Sequence, residues 1–364
     1  MTLNNYPSIF FAVLNMGLGH ASRSLPIIRE LIENKFHITI GSSGRSLTFL
    51  QKEIPNAIFF ELPDYRFDYS KKGVTLGGVI KRLPFFFRSV IREQKIVQKL
   101  LLNRKFDLLI SDNRYGCHAP GIPSLFISHQ LRFIAPPGLQ IFEFIGFGFN
   151  RIFHKNFNTI LIPDELHEGE GVISGRMSKI SPSSRYYFCG ILSSIRKKEI
   201  PEDIDILFSI SGPEPQRTVF EHIIRNILPR IPGKKVIALG KPESHKVEIP
   251  EPNLEIYHHP SRKEMENLCN RSKIVVSRSG YSTIMELLEL RKKALFVPTP
   301  GQTEQIYLAK RLQKKGWFHW IAQNDPGFEK HLQDKANLKD IDFHFSTNKT
   351  LSRVLQVLEN NFCR

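Results

Sequence analysis

A chain of 364 residues is too long for one ordinary core and predicts about two domains. Its 41% hydrophobic and 24% charged residues are those of a folded globular protein, which excludes a largely disordered chain. The formal net charge of +16 would attract nucleic acid, anionic lipid or phosphorylated small molecules, and a lysine-rich proteome would produce the same excess without any partner.

Short apolar or β-branched runs alternate with helical patterns along the whole chain. In the first half the predicted strands are Ile9–Leu14, His37–Ile40, Ala57–Leu62, Phe106–Ile110, Ser124–Ser128 and Thr159–Ile162, with helices near 21–34, 45–53, 79–103 and 139–157. The second half repeats the scheme with strands Ile204–Ser211, Lys235–Ala238, Leu254–His258, Ile274–Ser277 and Lys293–Val297. Its helices fall near 217–229, 261–269, 282–290 and 304–315, and a last amphipathic helix near 348–361. Apolar runs separated by helices indicate parallel sheets covered on both faces. The spacing therefore predicts an α/β chain of two doubly wound Rossmann-like domains facing each other across a cleft. Ligands in such sheets bind beyond the carboxyl ends of the strands. The short strand Tyr186–Cys189 and the basic linker after it place the join, giving domains at 1–188 and 189–364.

Several classes are excluded. Cys117, Cys189, Cys269 and Cys363 form no C-x-x-C pair, which argues against a disulfide framework or a zinc site and fits a reducing cytoplasm. The apolar run Ile9–Leu14 has no basic flank and stops at a glycine-rich loop, so it reads as a strand and not a signal peptide. No stretch reaches the roughly 18 to 20 apolar residues that a spanning helix needs. No nucleic-acid-binding motif appears either, so nucleic acid is not expected as a partner.

Four strand-end loops carry the candidate chemistry. Asn15–His20 reads N-M-G-L-G-H before a helix, where Gly17 and Gly19 allow close backbone approach and His20 is either a base for a hydroxyl or a capping and packing residue. Asp112, at another strand end, is the reserve base or the group that orients His20. Ser209–Arg217 reads S-I-S-G-P-E-P-Q-R, with Ser211, Gly212 and Arg217 placed either for phosphate or for a plain turn. In the third loop, Arg278, Ser279 and Gly280 precede a helix opening near Ser282, an arrangement suited to a diphosphate. Glu286 there serves either a ribose or, with Thr283, a capping box. The fourth loop delivers Gln302, Thr303, Glu304 and Gln305 at a helix start, either as sugar ligands or as an N-cap cluster. The Asp-Ile-Asp triplets, Asp203 with Asp205 and Asp340 with Asp342, resemble a metal motif only superficially.

Residues 81–105 hold Lys81, Arg82, Arg88, Arg92, Lys95, Lys99, Arg104 and Lys105 against Glu93 alone, interleaved with Phe85, Phe86 and Phe87. An ordinary amphipathic helix accounts for Val90, Val97 and Leu101. Consecutive helical residues point about 100° apart, so three phenylalanines in a row cannot all face one core. The segment predicts contact with an anionic membrane surface through Phe85, Phe86, Phe87 and Arg88.

The run S-R-S-G-x-x-T-x-x-E, followed by A-L-F-V-P and a loop ending in E-Q, resembles the donor-site signature of glycosyltransferase family 28. The loop ending in His20 resembles the family's N-terminal glycine loop, and Phe126–Gln130 falls where the family has another cleft loop. The resemblance implies a GT-B architecture, a UDP-sugar donor, an inverting mechanism, no essential metal and no cofactor. It implies that Glu286 binds the ribose, that Glu304 and Gln305 bind the sugar, and that Ser279 and Gly280 hold the diphosphate with Arg278. On the acceptor side it points to Gly17, Gly19, His129 and Gln130, with a lipid-linked or other polar acceptor on the inner, cytoplasmic face of a membrane. Gly212-Pro213-Glu214-Pro215 departs from the family's glycine-rich second loop, and Gly17-Leu18-Gly19 is poorer in glycine than the first. A UDP-sugar epimerase and a non-catalytic nucleotide-sugar-binding subunit are the rival readings.

Overall fold

The computed structural model describes residues 6–65, 76–135, 141–180, 183–241, 244, 246–333 and 338–362; the side chains of 76–83, 141, 142, 144, 145 and 149 lie outside that description, and with them Lys81 and Arg82, as does Cys363. The chain forms two compact units. The first runs to Ser194 and resumes at Ser346; the second spans Ile195–Phe345. The division therefore falls later than the 188/189 join expected from sequence, and the C-terminal helix belongs to the first unit.

The first unit has a sheet built from β1 (Ser8–Val13), β2 (His37–Ser42), β3 (Ile58–Glu61), β4 (Leu108–Asp112), β5 (Ser124–Ile127) and β6 (Thr159–Ile162). A two-residue hairpin, β7 (Leu166–His167) and β8 (Glu170–Gly171), precedes the last strand, β9 (Tyr186–Phe188). The order is β3-β2-β1-β4-β5-β6-β9 and every pair is parallel. β1 and β4 are buried almost throughout, as strands covered on both faces must be. Helices α1 (Gly19–Glu33), α2 (Gly44–Glu53), α3 (Leu76–Asn103) and α4 (Ile141–His154) connect them.

The second unit contains β10 (Ile204–Ser209), β11 (Lys235–Ala238), β12 (Val247–Glu251), β13 (Leu254–Tyr257), β14 (Ser272–Ser277), β15 (Lys293–Phe296) and β16 (His319–Trp320). Its order, β12-β13-β11-β10-β14-β15-β16, repeats that of the first unit apart from the antiparallel edge strand β12. The helices are α5 (Gln216–Ile227), α6 (Arg262–Arg271), α7 (Tyr281–Leu290), α8 (Thr303–Lys314) and the short α9 (Phe328–Gln333). Phe208, Phe220, Ile237, Val276 and Leu295 lie in its apolar core.

After β16 and α9 the chain re-enters the first unit as α10 (Thr347–Phe362). Arg353 Nη1 donates to both Glu165 oxygens at 2.8 Å, Thr347 Oγ1 accepts from Ser193 N at 3.0 Å, and the Phe362 ring stacks on Phe36. In both units the strand order reverses beside the central strand, between β1 and β4 and between β10 and β14. That reversal is the switch point where doubly wound sheets bind ligands, so the loops after these four strands hold the candidate site residues.

Candidate active site

In the first unit the switch-point loops are joined by side chains. Gly17 turns the chain with φ +68°, and α1 begins at Gly19 with Leu18 as a side-chain-free N-cap, so His20 is not the cap. The first turn of α1 is buried, and His20 Nδ1 lies 2.8 Å from Oδ1 of Asp112, the last residue of β4. Arg23, one turn further along α1, donates from Nε to Asp112 Oδ2 at 2.8 Å and from Nη2 to Asp112 Oδ1. The same Nη2 lies 2.9 Å from His20 Nδ1, while Nη1 donates to His129 Nδ1 at 2.8 Å. Ser24 Oγ donates to Asp112 Oδ2 at 2.8 Å.

Asp112 is fully buried beneath these donors. Burial alone would raise its carboxyl, but Arg23 and His20 with their hydrogen bonds outweigh it and hold the group far below the usual carboxylate range. Four donors on its two oxygens suit Asp112 to the second of its two expected roles, that of orienting His20. Arg23 and Ser24 were missed in the sequence. Three and four residues after His20 in a helix, they share its face, which was the available signal. His129 is buried against Arg23, whereas Gln130 is half-buried and its carbonyl accepts from Asn150 Nδ2 at 3.2 Å.

A second buried cluster anchors the Asp112 turn. Glu93 of α3 accepts from Arg114 Nε at 2.5 Å, from Gly116 N at 2.9 Å and from the Tyr65 hydroxyl, and all of Glu93, Arg114 and Tyr65 are buried. Gly116 lies so close to α3 that a Cβ there would meet the Val90 carbonyl at 2.6 Å. The lone acid of the basic segment is thus the buried partner of Arg114.

In the second unit the motif side chains mostly turn onto the protein itself. Arg278 is buried after β14 and donates to the carbonyls of Val297 (2.9 Å), Pro298 (3.3 Å), Gln216 (3.0 Å) and Ser211 (3.4 Å), and to Gln323 Oε1 (2.6 Å). Its guanidinium lies over the Phe220 ring, and burial lowers it to about 10. Ser279 Oγ donates to the Gln305 carbonyl at 2.8 Å. Arg217 bridges Glu214 (2.5 Å) and Glu221 (2.9 Å). Gln305 is tied to Thr299 N at 2.8 Å and to Gln302 Oε1 at 2.5 Å. Arg217, Arg278 and Ser279 thus brace the strand-end loops; the sequence left Arg217 open between phosphate and a plain turn and expected Arg278 and Ser279 at the diphosphate.

Gly212, with φ +120°, brings backbone near Arg278 and Thr299, whose buried Oγ1 has no hydrogen-bond partner among the described residues. Gly280 is the N-cap of α7 and no side chain caps that helix, so the Thr283–Glu286 capping box is not formed. The capping box that does exist joins Ser261 and Glu264 at α6. Glu286 is instead ion-paired with Arg262. Thr283 is half-buried in the first turn of α7, as are Gln302 at the N-cap and Glu304 in the first turn of α8.

Asp203 is paired with Arg271 (2.6 Å) and Lys234 (3.2 Å), Asp205 with Lys273 (2.8 Å), and Asp342 accepts from Trp317 Nε1 (2.9 Å). These contacts give Asp203, Asp205 and Asp342 structural roles. On α3, Phe85, Phe87 and Ile91 are 45%, 42% and 52% exposed and Leu102 is 87% exposed, beside exposed Arg88, Arg92, Lys95 and Lys99. Phe86 points inward against Tyr65, Tyr115 and Phe153, which removes it from the predicted membrane set. No helix among the described residues is long and apolar enough to cross a membrane.

The fold is shared over the full length with solved glycosyltransferases. CalG4, the calicheamicin glycosyltransferase, superposes with a TM-score of 0.63 at 13% identity, covering 99% of each chain. MurG of Acinetobacter baumannii superposes with a TM-score of 0.58 at 15% identity, covering 98% of this chain and 100% of that one. The architecture is GT-B. Residues 218–341, within the second unit, match the family model of the glycosyltransferase family 28 C-terminal domain. A UDP-N-acetylglucosamine--N-acetylmuramyl-(pentapeptide) pyrophosphoryl-undecaprenol N-acetylglucosamine transferase of Sulfurihydrogenibium sp. (strain YO3AOP1) is 30% identical over 148 residues, 39% of this chain and 41% of that protein. The match thus spans less than half of that relative.

Proposed function

We propose that the protein is an inverting, metal-independent glycosyltransferase that moves a sugar from a UDP-sugar to an acceptor hydroxyl at a membrane surface. The observation that carries this reading is the His20–Asp112 pair at the switch point of the first unit, with Nδ1 at 2.8 Å from a buried carboxylate. With Nδ1–H directed at Asp112, Nε2 of His20 keeps a lone pair for the acceptor proton. The acceptor oxygen then bonds to the anomeric carbon while the bond to the diphosphate breaks, and the electron pair leaves with UDP. The donor belongs to the second unit. Glu286, not engaged in capping, accepts the ribose hydroxyls, Glu304 and Gln305 face the sugar, and the α7 N-terminus at Gly280 stabilises the diphosphate. Gly17, Gly19, His129 and Gln130 line the acceptor side. The nucleotide follows from the family 28 domain and from the UDP-sugar named in its relative, whose lipid-linked acceptor supports an acceptor of that kind here.

The exposed aromatic and basic face of α3 supports docking on an anionic, cytoplasmic-side membrane surface. Arg88, Arg92, Lys95 and Lys99 recur at helical spacing beside Phe87 and Ile91, and each cation near such a surface adds roughly 1 kcal/mol.

A UDP-release assay over a panel of UDP-sugars, with and without lipid extract, tests the reading; acceptor-dependent UDP release is expected. Turnover of the UDP-sugar without acceptor selects an epimerase, and UDP binding without turnover a non-catalytic subunit. Sedimentation with anionic but not neutral vesicles, lost at high salt and in Phe85→Ser/Phe87→Ser, is expected of the membrane face. Equal recovery with both vesicle types would rule that face out.

A further inference from the structure

The buried cluster around His20 contains one charge more than a histidine–carboxylate pair needs. An arginine can only donate and an ionised carboxylate can only accept, yet Arg23 Nη2 (2.9 Å) and Asp112 Oδ1 (2.8 Å) both lie at His20 Nδ1. Arg23 Nη2 donates to the same Asp112 Oδ1, so a proton on Nδ1 directed at that oxygen leaves the Arg23 charge beside the imidazole as a second donor and not as its hydrogen-bond partner. Arg23 of α1 and Asp112 of β4 lie at Nδ1 itself, with Ser24 of α1 bonded to Asp112 and His129, from the loop after β5, bonded to Arg23. Arg114, two residues beyond Asp112, is turned away onto Glu93. With both histidines neutral, Arg23 and Asp112 cancel. A proton on His20 therefore gives these four groups together a net positive charge in a buried site, where charge is costly.

We propose that Arg23 is the positioning residue that sets the proton affinity of His20, offsetting the rise that Asp112 alone would impose. The proposal rests on the reading of His20 as the base. Its catalytic consequence is direct. Near neutral pH His20 enters each cycle unprotonated, ready to receive the acceptor proton at Nε2, and it gives that proton up to solvent afterwards. Arg23 also fixes a second group: by donating to His129 Nδ1 it leaves the proton of neutral His129 on Nε2, pointing away from Arg23 as a donor. Asp112 and Arg23 thus set opposite roles for the two histidines, His20 with its Nδ1–H on the carboxylate as acceptor of a proton and His129 with Nδ1 on the guanidinium as donor of a hydrogen bond.

The test is a pH titration of ¹⁵N-histidine-labelled protein by NMR, with His20 assigned through His20→Gln. In the wild type His20 is expected to titrate no higher than a free histidine, about 6.5, despite the adjacent carboxylate. In Arg23→Gln it should rise by about 1–3 units, the range for one neighbouring charge, and in Arg23→Lys it should stay near the wild-type value. If Arg23→Gln does not fold, the comparison moves to a charge-balanced background, in which Arg23→Gln/Asp112→Asn should titrate higher than Asp112→Asn alone. The acid limb of kcat/KM should move with the titration, whereas a purely structural role would lower kcat and leave that limb in place. A wild-type His20 well above the free value, or an unchanged titration when Arg23 is neutralised, overturns the proposal. If His20→Ala keeps full turnover, the base assignment falls instead, and the titration still reads what Arg23 does to His20.

Discussion

The two switch points of this molecule are built from the same strand order and organised in opposite ways. Beside β1 and β4 the polar side chains bond to one another: His20, Arg23, Asp112 and His129 form one buried network. Beside β10 and β14 they bond to backbone: Arg278 holds carbonyls from Ser211, Gln216, Val297 and Pro298, and Ser279 holds that of Gln305. A network of side chains fixes protonation states, which suits proton transfer. Loops braced by side chains fix the course of the main chain, which suits a ligand held by helix N-termini and close backbone. On the proposed reading, acid–base chemistry falls to the first unit and anion binding to the second.

The largest expected effect separates those assignments. His20→Ala should lower turnover by about 10²–10⁴-fold, the usual worth of a positioned base, and leave UDP affinity intact. Steady-state kinetics beside calorimetric titration with UDP reads both; a parallel loss of affinity would break the division of labour.

Next in size is the support beneath the Asp112 turn. Glu93→Ala leaves Arg114 as an unpaired buried cation and should cost about 3–5 kcal/mol in chemical denaturation of the first unit. A cost within the range of an exposed substitution would mean that this pair does not anchor the loop.

Glu286→Ala sharpens the other side of the comparison. Because α7 is capped at Gly280 without a side chain, any stability that Glu286 lends comes through its Arg262 pair and not through capping. The variant should lose about 1.5–3 kcal/mol of UDP affinity, and its melting temperature should fall only as far as loss of that pair lowers it. Unchanged UDP binding would return Glu286 to a partner of Arg262 alone.

The smallest effect is a pH dependence confined to the first unit. His154 is buried, first by desolvation and then by Arg185 pushed down to about 4 from its ordinary 6.5. The unfolded chain therefore binds more protons between those values, and stability falls as pH drops through that window, by at most about 1.4 kcal/mol per unit. His154→Phe should flatten the profile; an unchanged slope would assign it to other groups.

Much of this was legible in the sequence, because buried parallel strands are continuous apolar runs. Thr159–Ile162 and Lys235–Ala238 coincide with their predicted ranges. What stayed hidden depended on direction. Arg23 reads as an ordinary helix charge until β4 places a carboxylate opposite it. Arg278 sits in a phosphate-like motif, and only the neighbouring carbonyls show that it faces inward. Phe86 and Phe87 are adjacent in sequence, and their helix turns Phe86 into an aromatic cluster and leaves Phe87 at its rim, stacked on Phe153 and 42% exposed. Glu286 and Thr283 have capping-box spacing, yet α7 is capped at Gly280, three residues too early for them to form one. The edge strands β12 and β16 and the short α9 lacked periodicity long enough to register.

The return of α10 to the first unit has a consequence for how the chain is made. Residues 346–362 complete packing that begins at Phe36, Glu165 and Ser193, and they follow the second unit out of the ribosome. The stretch Ile195–Phe345 of the second unit is therefore available before the first unit is complete. The unit synthesised first is thus the unit finished last, and a chain truncated ahead of Ser346 would carry an intact second unit on a first unit still missing a wall.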